Sequence, residues 1–170
     1  RDTARAGFTL LFAALVGSLR FGMGIALAHL AIKEVLLSAA GKESEAAFFA
    51  ADTGAECALY WDLVVGRNPR TPVFPNSRNA PRDADGRIRC NGDSNISLAF
   101  THAASAATTT FYFRTSSSPV ACAEVRVGKT APHGGVEGRT VIESRGRNDS
   151  DCTSASASIG RVERALRVRY

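Results

Sequence analysis

The sequence predicts an α+β protein: a long N-terminal helix, with a membrane-spanning first half and an amphipathic second half, packed on a small, mostly antiparallel β-sheet. Three observations lead there. An apolar run extends from Phe8 to Ile32 and is broken only by Arg20 and His29. The stretch beyond it, "KEVLLSAAGKESEAAFFAADTGAECALYWDLV", is rich in Ala, Leu and Glu and free of proline. From Ile96 onward, hydrophobic residues recur at the two-residue period of strands.

The Phe8–Ile32 run, about 25 residues, makes a helix of roughly 37 Å at 1.5 Å per residue, against a hydrocarbon core of about 30 Å. Residues 8–33 are therefore expected to span a bilayer. Arg1 and Arg5 precede the run, which orients the N-terminus to the cytoplasm and residues 34–170 outside. A cleavable secretory signal is the competing reading; it needs an apolar core of about 7 to 15 residues and a small-residue cleavage site, and Ala26 and Ala28 offer such a site. Arg20 opposes a spanning helix, since a charge at mid-membrane costs about 2.5 to 3.5 kcal/mol on an insertion scale.

In the second half, Ala47, Phe48, Ala51, Ala55, Ala58 and Leu59 recur at steps of three and four, leaving Glu45, Asp52 and Glu56 on the other side. The helix is expected from near Phe8 to near Leu63, the amphipathic part reaching about residue 65. Gly41 and Gly54 should each weaken it by about 1 kcal/mol and permit a bend. Tyr60 and Trp61 are expected to cap the core. A long loop over 66–95 follows, because "GRNPRTPVFPNSRNAPRDADGR" carries four prolines and many turn formers. The sheet is expected over 96–170: Ile96, Leu98 and Phe100 on one side of a first strand, Phe111 and Phe113 on a second, and Ala121, Ala123, Val125 and Val127 on a third. Val141 and Ile142 mark a fourth, and Val162, Leu166, Val168 and Tyr170 line a last one.

With 170 residues, 21 Lys+Arg and 16 Asp+Glu, the chain suits one head plus an appendage, and its net charge of +5 only weakly favours anionic partners. Cys57, Cys90, Cys122 and Cys152 lack the Cys-x-x-Cys spacing of a zinc site. In an exported head they form one or two disulfides, with three full connectivities open. No motif makes a convincing catalytic site. "DTG" at Asp52–Gly54 matches the aspartic-protease triplet but lies in helical sequence, whereas that chemistry needs a strand and loop and a second Asp. "GKT" at Gly128–Thr130 has no Gly at the start of a phosphate-loop spacing and no helix after it. "DADG" at Asp83–Gly86, with Asp93 nearby, lacks a calcium-loop register. His102 and His133 have no partner at catalytic spacing. Arg161, Arg164, Arg167 and Arg169 read as protection of an edge strand; a nucleic-acid surface is the lesser reading, without interleaved aromatics for stacking.

"GFTLLF" after a basic stub resembles the prepilin processing site of type IV pilins and pseudopilins, and "AFFAADTGAECALYWD", "TVIESRGRN" and "RVERALRVRY" are similar in style to the PilX-type minor pilins of bacteria. The resemblance covers nearly the whole chain. It implies a pilin-like fold, a prepilin leader over 1–7, cleavage between Gly7 and Phe8, methylation of the Phe8 amine, and a filament core opened by Phe8, Thr9, Leu10, Leu11 and Phe12, with Arg20 in the same helix. Two residues depart from the family: the fifth mature position, usually Glu, is Phe12, and Arg20 places a charge in the core helix. Both favour a minor over a major subunit.

The implied function is that of a structural pilus subunit, not an enzyme, without a cofactor or metal. Its partners would be a prepilin peptidase, the pilus assembly machinery, other pilins and the membrane, with nucleic acid unlikely. It would reside in the bacterial inner membrane as a single-pass protein and in an extracellular filament. A pseudopilin of a type II secretion-like system is the alternative, as is an exported binding protein with a signal anchor. For such a head the expected disulfide is Cys90–Cys122, which flanks the first two sheet strands, with Cys57 pairing with Cys152 or free.

Overall fold

A computed structural model describes residues 2–66, 72–77, 87–115, 120–132, 134, 137–153 and 160–170, with side chains in the helix from Phe8 onward. Helix α1 runs Asp2–Tyr60 and ends in a π-type turn, Trp61–Val65, where Gly66 N–H donates to the Trp61 carbonyl at 2.7 Å. Seven strands follow: β1 Arg87–Cys90, β2 Asp93–Ser97, β3 Ala99–His102, β4 Ala106–Arg114, β5 Cys122–Thr130, β6 Thr140–Arg147 and β7 Glu163–Arg169. β1 and β2 form a two-stranded sheet, and β3-β4-β5-β6-β7 form a five-stranded one in sequence order. Every pairing is antiparallel. The expected α+β architecture, a long apolar helix packed on antiparallel sheets, is what the chain adopts.

Residues Lys42–Tyr170 form one compact unit and Arg1–Gly41 another. Within the larger unit, Ala47, Ala50, Ala51, Ala55 and Ala58 of α1 are buried. The inner face of the sheet supplies Phe111 and Phe113 from β4, Ala123, Val125 and Val127 from β5, and Ile142 from β6. Helix and sheet approach closely because both are bare where they meet. A Cβ on Gly54 would fall 2.7 Å from Val125 Cγ2 and overlap Ser144 Oγ, and one on Gly146 would overlap the Ala47 carbonyl oxygen. Gly54 is thus a packing residue rather than the expected hinge. The same closeness excludes Phe48, placed on the packing face by its spacing; it is 45% exposed, and Ala50 and Gly54 line the face instead.

The segment expected as loop also contributes to the core. Asn91 (φ 49°) and Gly92 (φ 84°) make a two-residue turn that pairs Cys90 with Asp93 and Ile88 with Ile96. Positive φ at both positions is the geometry for which Asn-Gly is favoured. Ile88, Cys90 and Ile96 are buried, as are Val73 and Phe74, whose ring stacks on Phe111 at 6.2 Å. The loop of 66–95 is therefore corrected: β1 and the start of β2 lie inside it. The predicted first strand is also two, since Leu98 separates Ile96 in one sheet from Phe100 in the other. The other four strands stand where alternation placed them.

Candidate functional site

The apolar segment of α1 shows its side chains to the outside on every face. Phe8, Leu10, Leu11 and Phe12 are exposed, as are Leu15, Leu19, Phe21, Met23, Ile25, Leu27, Leu30 and Ile32. By length and composition one helix of the chain can cross a membrane, and none of its most apolar window is buried. A core helix of a water-soluble domain would hide one stripe at least. Ser18 suits apolar surroundings, because its hydroxyl donates to the Leu15 carbonyl at 2.9 Å within the same helix.

The sequence-derived processing pair Gly7–Phe8 lies within α1, which begins at Asp2. Residues 2–7 thus run into the apolar segment without a break, since Ala4, Arg5 and Ala6 are all strong helix formers. Thr9, Leu10, Leu11, Phe12 and Arg20 follow on the same helix.

The rival motifs fall in places that disarm them. Asp52, Thr53 and Gly54 are helical, so no protease loop exists there. Gly128–Thr130 ends β5. His102 closes β3 and stacks on Phe100 at 5.9 Å. Asp93 opens β2, and its Oδ1 accepts from Asn95 N–H at 3.0 Å. Asp83–Gly86 and His133 lie outside the described residues. Among those described, no group of three His, Cys, Asp or Glu side chains is placed to hold a metal. β7 is an edge strand, as the arginine pattern suggested, and two of its arginines are engaged: Arg167 pairs with Glu143 at 3.1 Å, and Arg164 donates to Ser44 Oγ at 2.9 Å.

Two buried polar groupings escaped the sequence reading. Asp62, 7% exposed, accepts from Lys129 Nζ through Oδ1 and from the Tyr170 hydroxyl through Oδ2 at 2.6 Å. Burial, then the hydrogen bond to Asp62 and its charge, push the Tyr170 hydroxyl well above its ordinary pKa near 10. On the opposite face of the sheet from α1, buried Glu124 meets Arg126 at 2.6 Å and Arg147 at 3.5 Å, and Arg147 bridges on to Glu163 at 2.8 Å. Trp61 half-fulfils its expected role: it packs on the core and donates Nε1–H to the Arg89 carbonyl at 2.9 Å, while Tyr60 is exposed.

The disulfides are Cys57–Cys90 and Cys122–Cys152, not Cys90–Cys122. Cys90 ends β1 at the missed hairpin, which carries it to α1, and Cys122 lies across from Arg147 on the outer side of β5. Arg147 Nη1 also donates to the Cys152 carbonyl at 2.7 Å, fixing that loop beside Cys122. With the partners 33 and 30 positions apart in sequence, each bond should stabilise by about 3.5 kcal/mol through loop closure. Non-reducing peptide mapping is expected to recover these two pairs; a Cys90–Cys122 peptide would contradict the hairpin's placement.

Beside the second disulfide lies a half-open cleft of about 320 Å³ lined by Tyr112, Arg114, Asp93, Asp151 and Thr153. The Thr153 hydroxyl donates to Asp151 Oδ1 at 2.7 Å. The chemistry of the described residues centres on surfaces: an uncovered apolar helix and a head braced by disulfides and ion pairs. Comparison of the chain with family models, curated proteins and solved structures finds no match.

Proposed function

We propose that the chain is a membrane-anchored structural subunit, a minor pilin of a type IV pilus-like filament, cut after Gly7, methylated at Phe8 and assembled through α1. The observation that carries this reading is that "GFTLLF" opens the apolar segment of α1, Phe8 to Ile32, in which no side chain is buried and all but Val16 are exposed. Such a surface needs a cover. Lipid provides one in the bilayer, where the helix satisfies its own backbone groups, and neighbouring helices provide another in a packed bundle. Transfer from the first cover to the second is the assembly step this reading requires. Two disulfides in the head suit an oxidising compartment outside the cytoplasm.

The minor role follows from Phe12 and Arg20. In a repeating bundle of this chain, every copy would bring a guanidinium into the apolar core, and none would bring a carboxylate from the segment between Asp2 and Glu34. That cost grows with copy number, so few copies are tolerated.

Mass spectrometry of membrane-extracted protein tests the reading. A mature chain starting at N-methylated Phe8 is expected, and Gly7→Leu should leave the precursor uncut. A mature terminus near Ala28 would establish a secretory signal instead and remove the pilin assignment.

A further inference from the structure

We propose that Arg20 docks an intramembrane carboxylate: the face of α1 centred on it receives a second transmembrane helix, from a different protein, carrying Asp or Glu at the matching depth. The inference rests on α1 crossing a bilayer and is independent of filament assembly. Arg20 sits midway in the apolar run, twelve residues from both Phe8 and Ile32, or about 18 Å from either end at 1.5 Å per residue. Long basic side chains escape the hydrocarbon near helix ends, not at the midplane. Arginine cannot shed its proton to become neutral there, so a buried guanidinium calls for a counter-charge.

The chain supplies none. No Asp or Glu occurs between Asp2 and Glu34, and those two lie about 27 and 21 Å from Arg20 along the helix axis. None of the ion pairs among the described residues engages Arg20. A second copy packed in parallel register would bring another guanidinium to the same depth. Charge complementarity therefore selects a different chain with an acidic residue in its span.

The face is shaped for close approach. At 3.6 residues per turn, Ala13, Gly17, Gly24 and Ala31 form a strip within about 60° of Arg20 on one side, and Val16, Met23 and Leu27 flank it on the other. A Cβ on Gly17 or Gly24 would meet nothing within 4 Å. Small side chains let helix backbones come together, and the planar guanidinium can then take a carboxylate through two parallel hydrogen bonds.

Photo-crosslinking of the full-length chain in the membranes of its own host tests this. With p-benzoylphenylalanine at Leu27, about two turns beyond Arg20 on the same face, the expected adduct joins a distinct protein whose helix holds Asp or Glu about two turns from the crosslinked residue, at the depth of Arg20. The same probe at Leu15, on the far face, should give at least fivefold less. Arg20→Leu should cut the Leu27 adduct at least fivefold while the chain resists carbonate extraction, and Arg20→Glu should be rescued by placing Arg at the partner's acidic position. An adduct with another copy, with lipid alone or with a helix lacking a carboxylate, or a yield unchanged by Arg20→Leu, overturns the proposal. Carbonate-resistant wild-type protein without an adduct overturns the pairing but leaves the anchor standing. Extraction of wild-type protein by carbonate overturns the anchor, and the pairing with it.

Discussion

Gly146→Ala is expected to destabilise the head by about 4 kcal/mol, above the roughly 1 to 3 kcal/mol usual for overpacking a core. The obstacle is backbone, not a side chain that can turn aside. A Cβ there would overlap the Ala47 carbonyl oxygen and stand 2.5 Å from the Ala51 nitrogen, so α1 must lift from β6. Lifting it uncovers Phe113, Val125 and Ile142, all buried in the wild type. Gly128→Ala is the control in the adjacent strand: its nearest neighbours are 3.8 Å from the added carbon, and replacing a strand glycine should be neutral or slightly stabilising. Urea unfolding of the disulfide-bonded head measures both. Equal midpoints for the two variants would show that the helix does not rest on Gly146.

Asp62→Ala is expected to cost about 3 to 5 kcal/mol, the usual penalty for breaking a buried ion pair from one side. The loss leaves the Lys129 ammonium, 17% exposed, without its counter-ion and frees the Tyr170 hydroxyl. Asp62→Asn should fall between, since the amide oxygen still accepts one hydrogen bond but carries no charge. Tyr170 adds a pH dependence whose sign follows from linkage. Its hydroxyl keeps the proton more tightly when folded than when unfolded, so its contribution is fully present below pH 10. It is lost as pH rises above that, where the unfolded chain ionises first. Tyr170→Phe should therefore be less stable than wild type at pH 8, and the gap should shrink above pH 10. A gap that widens with pH would contradict the hydrogen bond to Asp62.

Much of the architecture was legible because it rests on local periodicity. The apolar run from Phe8 to Ile32 and the alternation through Phe111–Phe113, Ala121–Val127 and Leu166–Val168 report directly which positions avoid water. The β1–β2 hairpin was also legible in principle. Asn91-Gly92 between Ile88 and Ile96 is a strong hairpin signal, but it was hidden by the proline-rich stretch before it. The candidate site divides the same way. "GFTLLF" and the isolated charge at Arg20 are readable from composition and spacing, whereas the cleft beside Cys152 joins Asp93, Tyr112 and Asp151 from separate segments and has no linear pattern.

By itself the sequence determined the fold class, the apolar helix and four of the strands, since each depends on residues near one another in the chain. Tertiary structure alone decided the disulfide partners, the burial of Asp62 against Lys129 and Tyr170, and the role of Gly54 and Gly146. These depend on which surfaces meet. Periodicity states that a residue is inward-facing but not what it faces. A cysteine chooses its partner by the few ångströms a disulfide spans, and a glycine is required where another backbone arrives. Those distances exist only once α1 lies on the sheet and the missed hairpin has carried Cys90 to Cys57.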